Sequence, residues 1–237
     1  MIYKAFMASL FTLDISGSLL AVAFGIIIFY LGLGMWWFFI AVLIDFLVLS
    51  ALATHAKEDA KSTLKGYEKT RSWKNVVANG LVPVIMVVLY FASQTYWSQS
   101  PQYDQIIIFA FVASVAAITA DKFASEFGVL GNQEPKDILT SKKVRRGTSG
   151  GITWFGSLVG LAGAFLIGLT VFALGGSVVV FAAVVVGGVF GNLIDSLLGH
   201  FEEMKIGNKY TSNLVCSAAG ALFCGGVLLL LPLSVLL

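Results

Sequence analysis

The sequence predicts an all-α polytopic membrane protein with about seven transmembrane helices and polar cytosolic loops. The first observation is composition: 58% of the 237 residues are hydrophobic, 12% are charged, and the mean hydropathy is +0.90. Soluble domains carry about 25% charged residues, so lipid is the solvent for most of this chain. The second observation is that all 15 lysines and arginines can be placed on one side of a membrane.

The apolar segments define the helices. About 20 apolar residues cross a bilayer core. Candidate spans lie at residues 10–31, 35–53, 76–93, 105–120, 152–174, 178–198 and 213–236. The connection at 32–34 is so short that the first two helices are expected to form an antiparallel hairpin; if they were one broken element, the count would fall to six and Lys4 would lie outside. No soluble domain is visible, which predicts a single integral membrane domain over residues 1–237.

The basic residues define the orientation. They fall at Lys4 and in three connecting segments, at about 55–74, 121–151 and 199–211, whereas the alternate connections at 94–104 and 175–177 carry none. Because cytoplasmic loops retain basic residues, the N-terminus and these three loops are predicted to be cytosolic and the C-terminus to lie outside. A one-sided basic surface favours anionic headgroups and phosphorylated ligands. Nucleic acid is not an expected partner, because the cations lie in short loops without a recognition motif.

Acidic residues within spans are costly and are functional candidates by default. Asp121 and Asp195 each lie at a predicted cytosolic helix end with a hydroxyl nearby, on Ser125 or Ser196. Glu126 lies about one third of a turn from the face that Asp121 and Ser125 share. Carboxylates at one depth on neighbouring helices suit Mg²⁺, which takes oxygen ligands and shares its shell with substrate phosphates. Helix capping, or pairing with loop cations, is the alternative explanation.

The loop at 121–151 also carries a basic and glycine-rich run that opens a helix. The candidate phosphate-binding residues in this run are Lys142, Lys143, Arg145, Arg146, Gly147, Thr148, Ser149, Gly150 and Gly151. Glycines let backbone N–H groups approach an anion, hydroxyls add donors, and a helix N-terminus adds positive potential. The Walker A order is absent. A basic run alone would serve equally well as a topology determinant, but the glycines and flanking carboxylates favour a phosphate site.

These motifs, with a polar cluster at Arg71, resemble an integral membrane family, the phytyl-phosphate kinases of tocopherol synthesis and their uncharacterised bacterial and archaeal relatives. The resemblance covers nearly the full length. It is carried by Ala120-Asp121-x-x-Ala124-Ser125-Glu126-x-Gly128, the run from Lys142 to Gly151, Arg71-x-x-x-Asn75-Val-x-Ala78-Asn79-Gly80 and Asp195-Ser196-Leu-Leu-Gly199. Lys122 and Phe123 stand where that family usually has a Thr-Trp-like pair.

The resemblance implies phosphoryl transfer from a nucleoside triphosphate, with CTP favoured, to a polyprenyl monophosphate, which gives the diphosphate. It implies that Asp121, Glu126 and Asp195 hold Mg²⁺ and act in catalysis, with Lys142 as a further catalytic residue. The residues implied to bind nucleotide or phosphate are the remainder of the loop run, together with Ser125, Ser196, Arg71, Asn75 and Asn79.

Two other classes of function remain open from the sequence. A lipid-phosphate cytidylyltransferase would use the same metal and nucleotide and would release pyrophosphate. A transporter would use Asp14, Asp45 and Asp195 as a coupling path. Transport is disfavoured because the charged residues cluster at one face of the membrane, whereas a permeation path needs polar groups near the midplane.

Overall fold

The structure is a computed structural model that describes residues 13–56, 71–96 and 100–236. The helices in these ranges are α1 (Ile15–Leu31), α2 (Trp36–His55), α3 (Trp73–Tyr96), α4 (Pro101–Gly128), α5 (Trp154–Ala173), α6 (Val178–Glu203), α7 (Lys209–Leu229) and α8 (Leu233–Leu236). A 3₁₀ turn at Leu33–Met35 joins α1 to α2, and two short strands, β1 (Lys136–Asp137) and β2 (Gly151–Ile152), pair antiparallel in the loop before α5. The predicted all-α fold class is confirmed.

Helix α4 is the centre of the bundle, and α2, α3, α5, α6 and α7 all pack against it. Of its 28 residues, 17 are buried, including Phe111, Val112 and Ala117. A helix that is apolar on all sides suits either lipid or the interior of a bundle, and the contacts with five other helices place α4 in the interior. The many alanines of its C-terminal half keep α4 thin, which lets five neighbouring helices surround it.

Glycines bring α6 against α4 and α7 at short range. A Cβ atom added at Gly191 would lie 2.5 Å from the Cβ of Ala117 and 2.5 Å from the carbonyl oxygen of Cys216. One added at Gly188 would lie 2.9 Å from the Cβ atoms of Ala116 and Ala164. Small residues at such interfaces let helix backbones approach closely. The same contacts set the register of α4 against α6, and so determine which of their residues lie opposite each other one turn later.

Six of the described helices are long and apolar enough to cross a membrane, and α1 is a shorter apolar helix of 17 residues. At 1.5 Å per residue α1 is about 26 Å long. Because α1 and α2 are separate helices joined by a tight turn, seven segments rather than six agree with the structure. The orientation of the bundle remains a prediction, and the cations of residues 57–70 and Lys4 lie outside the described residues.

The predicted helix ends differ from the observed ones in three places. Helix α4 continues to Gly128 and α6 to Glu203, so that only residues 204–208 separate α6 from α7. Both extensions are polar helical turns, which lie beyond the apolar run that marks a span in the sequence. The last predicted span is interrupted, since α7 ends at Leu229 and Pro232 precedes the separate helix α8. Proline cannot continue a helix from the preceding turn.

Gly191→Ala should destabilise the bundle, because the new methyl group meets Ala117 and the Cys216 carbonyl at 2.5 Å. Overpacking of this kind costs about 1–3 kcal/mol. Gly226→Ala in α7 is the matched control, since no atom lies within 4 Å of its added Cβ. Unfolding of both variants in detergent should give a lower midpoint for Gly191→Ala alone. Equal midpoints would contradict the close α4–α6 contact.

The orientation can be tested with single cysteines, because the native Cys216 and Cys224 are both free and buried. Tyr103→Cys lies in the first turn of α4, where the tyrosine is 57% exposed, and Lys142→Cys lies in the loop after α4. A membrane-impermeant maleimide should label Lys142→Cys from the cytosolic side and Tyr103→Cys from the outside. Labelling of both from one side would contradict the predicted topology.

Candidate functional site

A cavity of about 270 Å³ opens where the C-terminal ends of α4 and α6 meet the loop that precedes α5. The polar side chains that line this outer cavity are Arg71, Asp121, Ser125, Glu126, Gln133, Arg146, Ser149, Thr153, Ser157, Asn192, Asp195, Ser196, Glu202, Lys209 and Asn213. Backbone from Gly147, Gly150 and Gly151 completes the lining. The cavity therefore collects polar residues from four helices, the loop and the chain segment before α3.

Asp121 and Asp195 meet in this cavity because α4 and α6 run side by side in matched register. Gly191 packs on Ala117, and one turn later the Asp195 carboxyl lies within hydrogen-bonding range of the Asp121 carboxyl. Lys209 lies close enough to act electrostatically on both. The Oδ1 atom of Asp195 is buried and has no hydrogen-bond partner among the described residues. A buried polar atom without a partner is costly unless a ligand satisfies it.

The carboxylate pair fits a hard divalent cation. Mg²⁺ is usually bound by one or two carboxylates, with water and substrate phosphates completing its shell. Asp121 and Asp195 supply two adjacent carboxylates, and Asp195 Oδ1 is an oxygen that is still unpartnered. Among the described residues, no group of three or more His, Cys, Asp or Glu side chains converges in a way that could hold a metal ion. Any Mg²⁺ here would therefore depend on the two aspartates and on the ligand.

Glu126 lines the same two cavities as Asp121, and its role as a metal ligand remains a prediction. Its carboxylate forms ion pairs with Lys122, one turn earlier in α4, and with Arg71 at 3.4 Å. Five residues along a helix correspond to a rotation of about 140°, so Glu126 faces α3 and the segment before it while Asp121 faces α6. Of the three predicted metal ligands the structure brings together Asp121 and Asp195, and it directs Glu126 to cations.

The glycine run shapes the loop side of the cavity. Gly147 and Gly150 have positive φ angles of 81° and 75°, which side chains rarely adopt. Gly150 also lies against α6, where an added Cβ would come 2.5 Å from the backbone nitrogen of His200. Ser149 N–H donates to Oε1 of Glu203 at 3.2 Å. These contacts seat the loop on the end of α6 and turn its backbone towards the aspartates.

The other predicted residues of the run do not line either cavity. Lys142, Lys143 and Arg145 are exposed, and Lys143 pairs with Glu134. The physical reason is a short ladder: Asp137 N–H donates to the Lys142 carbonyl at 2.8 Å and Val144 N–H to the Pro135 carbonyl at 3.0 Å. This ladder forms the rim of the loop, where side chains face water. Thr148 is likewise outside the lining, so the roles predicted for these four residues remain predictions.

A smaller inner cavity of about 30 Å³ adjoins the outer one. It is lined by Asn75 and Asn79, both predicted from the sequence to bind nucleotide or phosphate. Arg71, Asp121, Ser125, Glu126, Lys209 and Asn213 line both cavities. Asn213 Nδ2 donates to Asn79 Oδ1 at 3.1 Å, which joins α7 to α3. The two cavities are therefore contiguous, with Asp121 at their boundary.

Among the site residues that sequence reasoning missed are Asn192, Glu202, Lys209 and Asn213. Two signals were present. Lys209 is the first residue of α7, directly after the N-cap Asn208, and a cation at a helix N-terminus is unfavourable unless carboxylates lie nearby. Asn213 follows it one turn later on the same helix face. Lys122, noted only as a departure from the resembled family, is buried at 6% exposure and lines the inner cavity.

A contact between a carboxylate and an imidazole fixes the loop to α6. Asp137 Oδ2 lies 2.7 Å from Nδ1 of His200, and Asp137 Oδ1 accepts from the Thr140 N–H at 2.7 Å. The contact with His200, followed by the Thr140 N–H, lowers the pKa of Asp137 to about 2. His200 belongs to the last turn of α6 rather than to a loop, and it positions the glycine run.

The fold and site define a polytopic membrane protein with an interfacial polar cavity. The model of the integral membrane protein family DUF92 matches residues 1–231, and the chain belongs to that family. It is 37% identical over 192 residues to an uncharacterized membrane protein of Methanocaldococcus jannaschii, covering 81% of this chain and 76% of the relative. It is 29% identical over 180 residues to Protein PGR of Arabidopsis thaliana, covering 67% of this chain and 62% of the plant protein. No solved structure matches the chain.

Asp137→Asn should loosen the loop, because a neutral amide binds the His200 imidazole less strongly than a carboxylate does. The exposed cations from Lys142 to Arg146 would then be cut faster by trypsin, and Glu134→Gln, which breaks only the exposed pair with Lys143, is the matched control. Since the folded pKa of Asp137 is about 2, below its usual value, the wild-type contact contributes stability above about pH 4 and loses it as pH falls towards 2. Equal cleavage of both variants would contradict this attachment.

Proposed function

We propose that this protein is a membrane phosphotransferase that moves a phosphoryl group from a nucleoside triphosphate, with CTP favoured, to a polyprenyl monophosphate. The observation that carries the proposal is the Asp121–Asp195 pair, with its unpartnered buried oxygen, facing a cavity walled by a glycine loop and cations. The resemblance to phytyl-phosphate kinases supports the lipid phosphate as acceptor. The bundle supports it too, since its apolar surface would hold a prenyl tail beside a polar cavity.

Asp121 and Asp195 would hold Mg²⁺, which when bound would neutralise charge on the phosphates and orient them. Arg71, Arg146 and Lys209 would contact phosphate oxygens as further positive charges. Gly147 and Gly150, which have positive φ angles, would let the loop backbone lie close to the same phosphates. In phosphoryl transfer these positioning and electrostatic effects supply most of the catalysis.

The chemistry balances without a catalytic base. An oxygen of the acceptor monoester forms a bond to the terminal phosphorus of the donor, and the bond from that phosphorus to its bridging oxygen breaks. The products are a prenyl diphosphate and a nucleoside diphosphate, which keeps the electron pair of the broken bond. Because the acceptor is already an anion, no proton has to be removed from it.

The transport alternative receives less support from the site. Asp45, which lies in the middle of α2, accepts a hydrogen bond from Thr170 Oγ1 of α5 at 2.6 Å and lines neither cavity. Asp14 caps α1 by accepting from the Gly17 N–H at 2.7 Å. Both aspartates therefore have local structural partners, whereas Asp195 retains a buried oxygen without one.

Product analysis tests the proposed reaction. Purified protein, Mg²⁺ and CTP labelled at the α- or γ-phosphate are incubated with prenyl monophosphates of several lengths. A kinase transfers only the γ-label to lipid and releases CDP; a cytidylyltransferase transfers the α-label and releases pyrophosphate. Asp121→Asn and Asp195→Asn should each lower kcat by at least about 100-fold, the loss typical of removing a charge-stabilising group. Asp45→Asn is the matched control and should retain activity.

Two results would overturn the proposal. The first is that no prenyl phosphate leads to nucleotide consumption while the protein moves a solute across liposomes. The second is wild-type turnover in Asp195→Asn at ordinary Mg²⁺ concentrations, which would remove the carboxylate pair from the mechanism even if the reaction occurs.

A further inference from the structure

We propose that the inner cavity is a separate subsite for the phosphomonoester group of the acceptor, with Lys122 as its recognition residue, and that the outer cavity takes the donor. This inference deepens the proposed function and rests on it for the identity of the acceptor. It also stands on features of the inner cavity that do not depend on turnover.

The two cavities differ in charge. Among the described residues, the outer cavity is lined by four carboxylates, from Asp121, Glu126, Asp195 and Glu202, and by three cations, from Arg71, Arg146 and Lys209. The inner cavity is lined, within the same described part of the chain, by three cations, from Arg71, Lys122 and Lys209, and by two carboxylates, from Asp121 and Glu126. An excess of carboxylates favours a divalent cation and the polyphosphate bound to it, whereas an excess of cations favours a lone anion.

Lys122 is the charged residue that lines the inner cavity but not the outer one. Its side chain is 8% exposed, and its ammonium group pairs with Glu126. Arg71 pairs with the same carboxylate at 3.4 Å, so one carboxylate serves two cations. A buried ammonium group is expensive unless it is fully compensated. A phosphate oxygen bound between Lys122 and Arg71 would add negative charge beside both cations.

The size and neutral lining fit a phosphate group. A water molecule needs about 10–15 Å³ of such space, so the volume of about 30 Å³ accommodates a few oxygen atoms but no nucleotide. Asn79 and Asn213 provide amide groups in the lining. Their mutual hydrogen bond leaves one N–H of Asn213 and both of Asn79 outside that bond.

The position of the inner cavity suits a lipid. It lies towards α2 and α3, where Phe46 and the buried Ile118 form apolar parts of its wall, whereas the glycine loop borders only the outer cavity. Asp121 lines both cavities and Asp195 only the outer one. Asp121 therefore borders both the proposed acceptor site and the proposed donor site.

The test compares two variants that each remove one positive charge. Lys122→Gln removes a cation that lines only the inner cavity, and Arg146→Gln removes one that lines only the outer cavity. In steady-state assays Lys122→Gln should raise KM for the prenyl monophosphate by about tenfold or more, the effect of losing about 1.4 kcal/mol, with little change in KM for CTP. Arg146→Gln should do the reverse. A larger effect of Lys122→Gln on CTP than on the acceptor would overturn the assignment.

Binding without turnover separates this inference from the proposed function. Thermal unfolding in detergent is measured against inorganic phosphate in one arm and against a prenyl monophosphate in the other. Both ligands should raise the unfolding temperature of the wild type and of Arg146→Gln more than that of Lys122→Gln. If only the prenyl monophosphate stabilises the protein, the affinity comes from the prenyl tail and not from a phosphate subsite. If the protein binds phosphate through Lys122 but never consumes nucleotide, the subsite stands and the kinase proposal fails. If turnover depends on Asp195 but phosphate binding does not depend on Lys122, the kinase proposal stands and the subsite assignment fails.

Asn79→Asp covers the case in which Lys122→Gln does not fold. It keeps the shape of the side chain but adds a negative charge to the inner cavity. The variant should unfold near the wild-type temperature and should lose stabilisation by inorganic phosphate. Retained stabilisation in a folded Asn79→Asp variant would place the anion elsewhere.

Discussion

The close parallel contact between α4 and α6 is the constraint on which the candidate site depends. Glycines at 188 and 191 remove the side chains that would hold the helices apart, and Ala117 meets Gly191 at a distance that excludes a further methyl group. Because both helices advance by the same rise per residue, this contact carries forward one turn and places Asp121 beside Asp195. A larger residue at 191 would separate the carboxyl groups as well as the helices. The same helix contact thus determines both the packing of the bundle and the placement of the two carboxyl groups.

Two carboxyl groups held together at the edge of a membrane are unfavourable in isolation, since desolvation and mutual repulsion both oppose their charged forms. Cations from other elements offset this unfavourable energy: Lys209 at the start of α7 and Arg71 before α3. The compensating charges do not come from neighbours on the same helices. The compensation is incomplete, because Asp195 Oδ1 remains without a partner among the described residues. Sites that hold such uncompensated oxygen atoms are suited to bind cations, and through them phosphates.

The sequence predicts the helices and the aspartates because both follow from the cost of placing polar groups in lipid. Apolar runs locate the helices, and a carboxylate within such a run indicates a site. Helix ends were missed where polar turns extend α4 to Gly128 and α6 to Glu203, since hydropathy does not distinguish a polar helical turn from a loop. The ion pair of Glu126 with Arg71 was beyond reach for a different reason: 55 residues separate the partners, and only the packing of the bundle brings them together.

The basic residues show why a local pattern cannot assign a phosphate site by itself. In the loop, the cations at 142, 143 and 145 lie on a short ladder and face water, whereas the glycines beside them line the cavity. The cations that line the inner cavity come instead from Lys122 and Lys209 on helices and from Arg71 next to one. Groups on rigid elements are held more precisely than groups on loops. Exposed loop cations act at longer range, by raising the local concentration of anions. Under the proposed function, the loop cations would attract anions and the bundle cations would bind phosphate, and only the fold distinguishes these two sets.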